Sequence, residues 1–298
     1  MANKVTFGTN PIAWSNDDKR ELGGATPLEV CLSEAARAGY SGIELGHKFP
    51  RQADVLRPIL DRHGLSLISG WYSSELLLRS VADEKASLEA HLSLLADMGC
   101  KVVVWAETTN CIHGREDVAL GARPVIAEGD WNRFCDSLSA MGEHVAARGL
   151  TLAYHHHMGT VIETEAEIDR MMAGTSDKVG LLLDTGHLTY AGGSPLGVAK
   201  RHAARIAHVH CKDVRAGVLA AAKAGDWSFL KAVTEGVFTV PGDGMVDYPP
   251  VMDVLKSAGY EGWLVVEAEQ DPAKANPLEY ARKGYQALVK YAKDAGLA

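Results

Sequence analysis

The feature that most constrains this chain is an eightfold alternation of short apolar runs with helical segments. The runs, rich in Val, Ile and Leu, cover residues 5–8, 42–46, 65–71, 101–106, 150–155, 179–184, 206–211 and 262–268. Between them, residues 27–38, 53–63, 83–98, 131–148, 165–172, 249–257 and 277–292 carry apolar residues at helical spacing. Parallel strands need crossover connections, so alternating βα units imply a parallel sheet, and eight of them favour a closed barrel over an open one. Gly39, Gly64, Gly99, Gly149 and Gly259 each follow a helical stretch and precede a strand-like run. Glycine accepts the left-handed conformation that closes a helix, so this recurrence marks five αβ junctions. The expected fold is α/β, a (β/α)8 TIM barrel. At 298 residues with no Pro/Ser/Gly-rich linker, the whole of 1–298 reads as one such domain. The segment from about 213 to 246 is longer than an ordinary barrel loop, and we expect an extra helix over 218–233 folded across one barrel face.

Function classes narrow from composition. The net charge of −8 disfavours a nucleic-acid partner, which requires a basic surface. No window offers the ~20 apolar residues of a membrane span, and the opening residues lack the apolar stretch of a signal peptide. Five scattered cysteines without a Cys-x-x-Cys pair argue against a disulfide framework or zinc ribbon and for a reducing, cytoplasmic setting.

In such a barrel the reactive side chains sit at the C-terminal strand ends. Those ends are polar and aromatic here, and seven of the twelve histidines fall between 155 and 210. Strands five to eight end in His155, Asp184, His210 and Glu267. Imidazole and carboxylate together suit a divalent transition metal at an open, catalytic site. Side chains alternate along a strand, so His155 and His157 share a face and His156 turns toward the helices. The same alternation places His208 beside His210, of which only one need bind metal. Glu269 is an alternative ligand to Glu267, and His155 could be a hydrogen-bonded strand histidine without metal. Asn10, Glu44, His47, Lys48, Glu107 and His208 are candidate partners for substrate hydroxyls, with Trp14, Trp71 and Trp105 as stacking surfaces. Gly242-Asp243-Gly244 reads as a tight turn that could approach the site.

These residues resemble the xylose-isomerase-like barrels, through Asp184-Thr185-x-His187, His208-x-His210 and Val266-Glu267. More closely, residues 8–17, 154–160, 184–187 and 240–244 resemble the inosose dehydratases, a likeness that spans essentially the whole chain. The resemblance implies a hydro-lyase acting on a cyclitol ketone, scyllo-inosose, in myo-inositol catabolism, with Mn2+ or Co2+ as cofactor. It implies a homo-oligomer only as a family-level expectation. Most members of the broader superfamily carry Glu where this chain has His155, which argues against a two-carboxylate epimerase. For β-hydroxy ketone dehydration the acid/base candidates are His157 and His187, with Glu269 as an alternative, and Lys212 to orient the ketone. The competing expectations are a ketose epimerase or isomerase, an endonuclease IV-type nuclease, and a non-catalytic sugar-binding barrel.

Overall fold

A computed structural model describes residues 5–298. The opening 1–4, read above for a leader segment, lie outside the described residues. Eight parallel strands close into a barrel: β1 (Thr6–Thr9), β2 (Gly42–Leu45), β3 (Ser66–Ser74), β4 (Val102–Glu107), β5 (Thr151–His155), β6 (Val179–Asp184), β7 (Ile206–Cys211) and β8 (Trp263–Val266). Each strand pairs with its chain neighbours, and β1 closes on β8 with Thr9 opposite Val266. All eight expected runs are strands. The third runs three residues further than expected, so Trp71 lies within β3 and Ser74 ends it.

The helices packed outside are α1 (Leu28–Ala38), α2 (Ala53–Asp61), α3 (Val81–Asp97), α4 (Trp131–Ala146), α5 (Glu165–Gly174), α6 (Thr185–Ala191), α7 (Pro195–His202), α8 (Ala216–Ala224), α9 (Phe229–Thr234), α10 (Tyr248–Ser257) and α11 (Pro277–Asp294). Their starts are chemically marked. Ser80 accepts from the Asp83 amide at 3.2 Å, and Thr164 with Glu167 forms a reciprocal capping box. The five αβ glycines all adopt positive φ, from 65° at Gly64 to 114° at Gly39. A Cβ on Gly39 would also meet the Tyr285 ring at 2.6 Å.

The main core lies between strands and helices. A smaller apolar set (Val102, Val104, Ala153 and Leu182) fills the barrel interior. The 213–246 segment departs from expectation: two helices, α8 and α9, replace the single one. The break falls at Gly225-Asp226, where Asp226 takes φ 43° and its carboxylate accepts the Gly121 amide at 3.2 Å. Ser228 then caps a new start through the Lys231 amide at 3.3 Å. A two-residue antiparallel ribbon, Asp213–Val214 against Phe238–Thr239, anchors the segment to the end of β7. Phe229, Leu230, Val233, Val237 and Phe238 give it an apolar cluster shared with Met158 and Tyr190.

Candidate active site

Each of four strand tips presents one side-chain atom to a common point. The nearest ligand atoms of His155, Asp184, His210 and Glu267 lie within 4.8 Å of one another, and all four residues are buried. In three of the four the other polar atom is hydrogen-bonded, and Glu267 Oε1 faces Lys212 Nζ at 3.5 Å. His155 Nδ1 donates to the His156 carbonyl at 2.6 Å, which leaves Nε2 as the lone pair. His210 Nε2 donates to Glu44 Oε1 at 3.1 Å, which leaves Nδ1. Asp184 Oδ1 caps α6, accepting from the Gly186 and His187 amides at 2.8 and 2.7 Å, which leaves Oδ2. His155 Nε2, Asp184 Oδ2, His210 Nδ1 and Glu267 Oε2 are the buried atoms left over, with His210 Nδ1 and Glu267 Oε2 set directly against each other. Buried polar atoms are rarely orphaned, and four facing one another fit a divalent cation. The fixed outer nitrogens are the support that a ligating histidine needs.

Glu44 organises that support. Its carboxylate accepts from His208 Nε2 at 2.9 Å, Ser69 Oγ at 2.5 Å and Asn10 Nδ2 at 2.7 Å, besides His210. Burial works against its charge, but the two histidines outweigh it and hold the carboxyl well below its ordinary range.

Beside the four ligands stands a second group, Lys212, Glu269, His187 and His157. Lys212 Nζ lies 2.7 Å from His187 Nε2 and 3.5 Å from Glu267 Oε1. Burial opposes its charge, yet Glu267 and Glu269 keep it an ammonium with a raised pKa. A Cβ on Gly186 would strike Lys212 Cγ at 2.4 Å, so the glycine at the start of α6 lets this side chain pass. Burial, followed by the neighbouring His157 and Lys212, drives His187 well below its ordinary pKa and leaves it neutral. His157 donates Nδ1–H to the Met158 carbonyl at 2.8 Å, and its Nε2 stands 3.8 Å from Glu269 Oε1. Burial disfavours its charged form, but Glu269 wins and raises its pKa. Phe229 covers this group, its ring centroid 5.1 Å from that of His157 and 5.8 Å from that of His187.

A cavity opens above both groups, with Asn10, Asp18, Glu44, Trp71, His113, His157, His210, Glu267 and Glu269 among its walls. Trp71 presents its ring to His155 and His157, with centroids 5.5 Å apart in each case. Lys212 and His187 are not among the residues lining the cavity, and Lys212 Nζ donates to Glu269 Oε1 at 2.9 Å. His208 is likewise a buried partner of Glu44 and not a wall residue.

Several expected contacts lie elsewhere. Trp14 is buried, and its Nε1 donates to Glu34 on α1 at 2.7 Å, because the 3-10 turn Pro11–Ala13 swings it outward. His47 does not itself line the cavity and pairs with Asp17, which does. Lys48 Nζ is consumed by the carbonyls of Gly23, Gly24 and Thr26 at 2.6–3.1 Å, pinning the β1 loop. Glu107 braces loop backbone through the Leu76 and Thr109 amides at 2.8 and 3.1 Å. Trp105 packs on Tyr72 in the core. The Gly242–Gly244 turn is gripped by Asp213, which accepts both glycine amides at 3.1 Å, and it faces Ala287 and Tyr291 of α11.

Three polar wall residues were not among the candidates from sequence: Asp17 and Asp18 follow β1, and His113 lies in the 108–130 stretch after β4. The usable signal was length: a connection of that size without a helix or strand is uncommon in a compact domain and is often functional.

The geometry can be set beside known proteins. The family profile described as the xylose isomerase-like TIM barrel matches residues 32–291. The rhizopine catabolism protein MocC of Rhizobium meliloti is 50% identical over 292 residues, which is 98% of this chain and 90% of that one. The inosose dehydratase of Geobacillus thermodenitrificans is 48% identical over 286 residues, covering 95% of this chain and 96% of its own length. Among solved structures, the IolI protein with a bound zinc atom superposes at TM-score 0.69 and 16% identity over 98% of this chain and 99% of that one. That last likeness concerns fold alone. The chain belongs to the xylose isomerase-like TIM barrel family and, within it, to the inosose dehydratase group.

Proposed function

We propose that this chain is a metal-dependent hydro-lyase that removes water from scyllo-inosose, 2-keto-myo-inositol, to give a trihydroxycyclohexane-1,2-dione in myo-inositol catabolism. The observation that carries the chemistry is the pairing of four convergent ligand atoms, two of them on the cavity-lining residues His210 and Glu267, with a His157–Glu269–Lys212 relay beside them. The substrate follows from the inosose dehydratase relatives.

His155, Asp184, His210 and Glu267 would hold the cation. A bound divalent cation supplies Lewis-acid polarisation of a ketone and so eases loss of the neighbouring proton. Mixed imidazole and carboxylate donors without thiolate suit divalent Mn, Co, Fe or Zn, and of these Mn2+ or Co2+ is what the resemblance to the inosose dehydratases implies. His157 takes the proton. Its Nδ1–H is fixed on a carbonyl, its Nε2 faces the cavity, and Glu269 stabilises the imidazolium that forms. Lys212 holds Glu269 in place and anionic, while burial and Lys212 keep His187 neutral. Asn10 and Trp71 offer the polar and flat surfaces that a ring of hydroxyls requires.

Ketose epimerisation by two carboxylates fits less well, because the fifth strand supplies an imidazole whose Nδ1 is tied to the His156 carbonyl. Five free cysteines support a reducing cytosol, and no helix among the described residues is long and apolar enough to cross a membrane. The test is ultraviolet detection of the enolised dione from scyllo-inosose, with EDTA-stripped protein and with Mn2+ or Co2+ restored. Metal-dependent product formation is expected. Silence from the reloaded protein would overturn the reading.

A further inference from the structure

Elimination of water from a β-hydroxy ketone needs an acid as well as a base, and the relay described above contains only the base. The cavity wall also holds two carboxyls from the loop after β1, Asp17 and Asp18; Asp17 is paired with His47, which leaves Asp18 for the other task. Asp18 sits in the loop after β1, fixed by Asn16 Oδ1, which accepts the Asp18 and Lys19 amides at 2.8 and 2.7 Å. Its side chain lines the cavity and is 24% exposed. His113 stands against it, with Nε2 3.6 Å from Asp18 Oδ1. His113 in turn packs against His157, with ring centroids 5.0 Å apart. Asp18 and the His157–Glu269 pair therefore face one substrate volume. Among the described residues the Asp18 carboxyl accepts no hydrogen bond that would favour its anion.

From this geometry we propose that Asp18 is the general acid that protonates the departing hydroxyl. The inference rests on the dehydratase reading above. In the step, His157 Nε2 takes the hydrogen on the carbon beside the ketone. The C–H electron pair passes first into the enolate of the ketone, from which the carbon can be reprotonated, and then forms the new C=C bond as the C–O bond of the β-hydroxyl breaks. The Asp18 O–H proton passes to that oxygen, so that water leaves and Asp18 becomes a carboxylate. The enol tautomerises to the dione, and His157 and Asp18 return to their starting states by proton exchange with water. No oxidant or reductant is involved.

The local electrostatics agree with this division of labour. Burial, then the nearby Glu269 charge, raises the Asp18 carboxyl to about 7. Burial and the neighbouring His157 push His113 down to about 3, so it stays neutral and cannot hold Asp18 as an anion. On the far side Lys212 holds Glu269 ionised despite its burial. Environments that drive two carboxyls apart in this way leave Asp18 able to give a proton and Glu269 as the anion that supports the base His157.

The experiment follows scyllo-inosose in D2O by NMR with metal-loaded wild type, Asp18→Asn and Asp18→Glu. It reads solvent exchange of the hydrogen next to the ketone separately from dione formation. Asp18→Asn should exchange that hydrogen at near the wild-type rate while eliminating roughly 100-fold more slowly or worse, in the range of a lost acid. Asp18→Glu should recover part of the elimination. Elimination by Asp18→Asn within about tenfold of wild type would overturn the assignment. So would joint loss of exchange and elimination in both variants. A wild type that neither exchanges nor eliminates would instead bring down the dehydratase reading, and the acid role with it.

Discussion

Lys212 Nζ lies 2.9 Å from Glu269 Oε1, and neither side chain reaches solvent. One ammonium thus answers two buried acids directly, Glu269 and Glu267, with Asp184 Oδ2 3.9 Å away. Lys212→Met leaves these carboxylates uncompensated and should cost about 3–5 kcal/mol in denaturant unfolding. Adding Glu269→Gln should recover part of that loss, since the two sites share one interaction. A single-variant cost under about 1 kcal/mol would show that the ammonium is not what stabilises the cluster.

Glu44 touches the candidate ligand His210 and carries no orphan atom itself. A residue that orients a ligand controls metal affinity, so Glu44→Gln should weaken Mn2+ binding about 10–100-fold in chelator competition. Unchanged affinity with a raised KM would instead make Glu44 a substrate contact.

Trp71 and Trp14 should separate cleanly. Trp71 lines the cavity, so Trp71→Ala should raise KM for the cyclitol at least about fivefold, in keeping with a loss of ~1 kcal/mol of stacking contact. Trp14 donates to Glu34 away from the cavity, so Trp14→Phe should lower stability by about 1–2 kcal/mol and leave KM unchanged. Steady-state kinetics and unfolding curves on the two variants decide the matter.

The Asp18 carboxyl also sets a pH dependence of stability. In the unfolded chain an aspartate titrates near ~3.9, and in the folded protein Asp18 titrates at about 7. The folded state therefore binds more protons between those values, and the Asp18 contribution to stability falls as pH rises through the window. Asp18→Asn removes the buried charge. It should match wild type near pH 4 and exceed it at pH 8 by on the order of 1–3 kcal/mol, allowing for the partly exposed carboxyl. Equal stability offsets at both pH values would show that Asp18 titrates normally.

The sequence made the barrel readable because strand and helix periods, punctuated by five glycines, are local signals. It made the four candidate ligands readable for the same reason: alternation along β5 to β8 dictates which residues at the tips face inward. Past a strand end that rule lapses. Trp14 and Glu107 stand where strands finish, but a 3-10 turn rotates one toward α1, and loop amides capture the other. Lys48 was absorbed by carbonyls of its own neighbourhood. Asp18 and His113 lie 95 positions apart in loops with no period at all, and only the closed barrel brings them face to face. The break at Gly225-Asp226 lay in plain view in the sequence, but apolar spacing on both sides of it suggested a continuous helix.

The order in which the chain is made gives the metal-site geometry one more meaning. Glu44, which braces His210, emerges early, whereas Glu267 directly follows β8, the strand that seals the barrel against β1. A nascent chain that stops before residue 263 lacks both that seal and the fourth ligand. Tight cation capture then becomes a late event in biosynthesis, available only once the last strand has been made. Stalled or truncated products would carry three unsatisfied ligands in an open sheet, and cellular quality control could distinguish them from the completed enzyme.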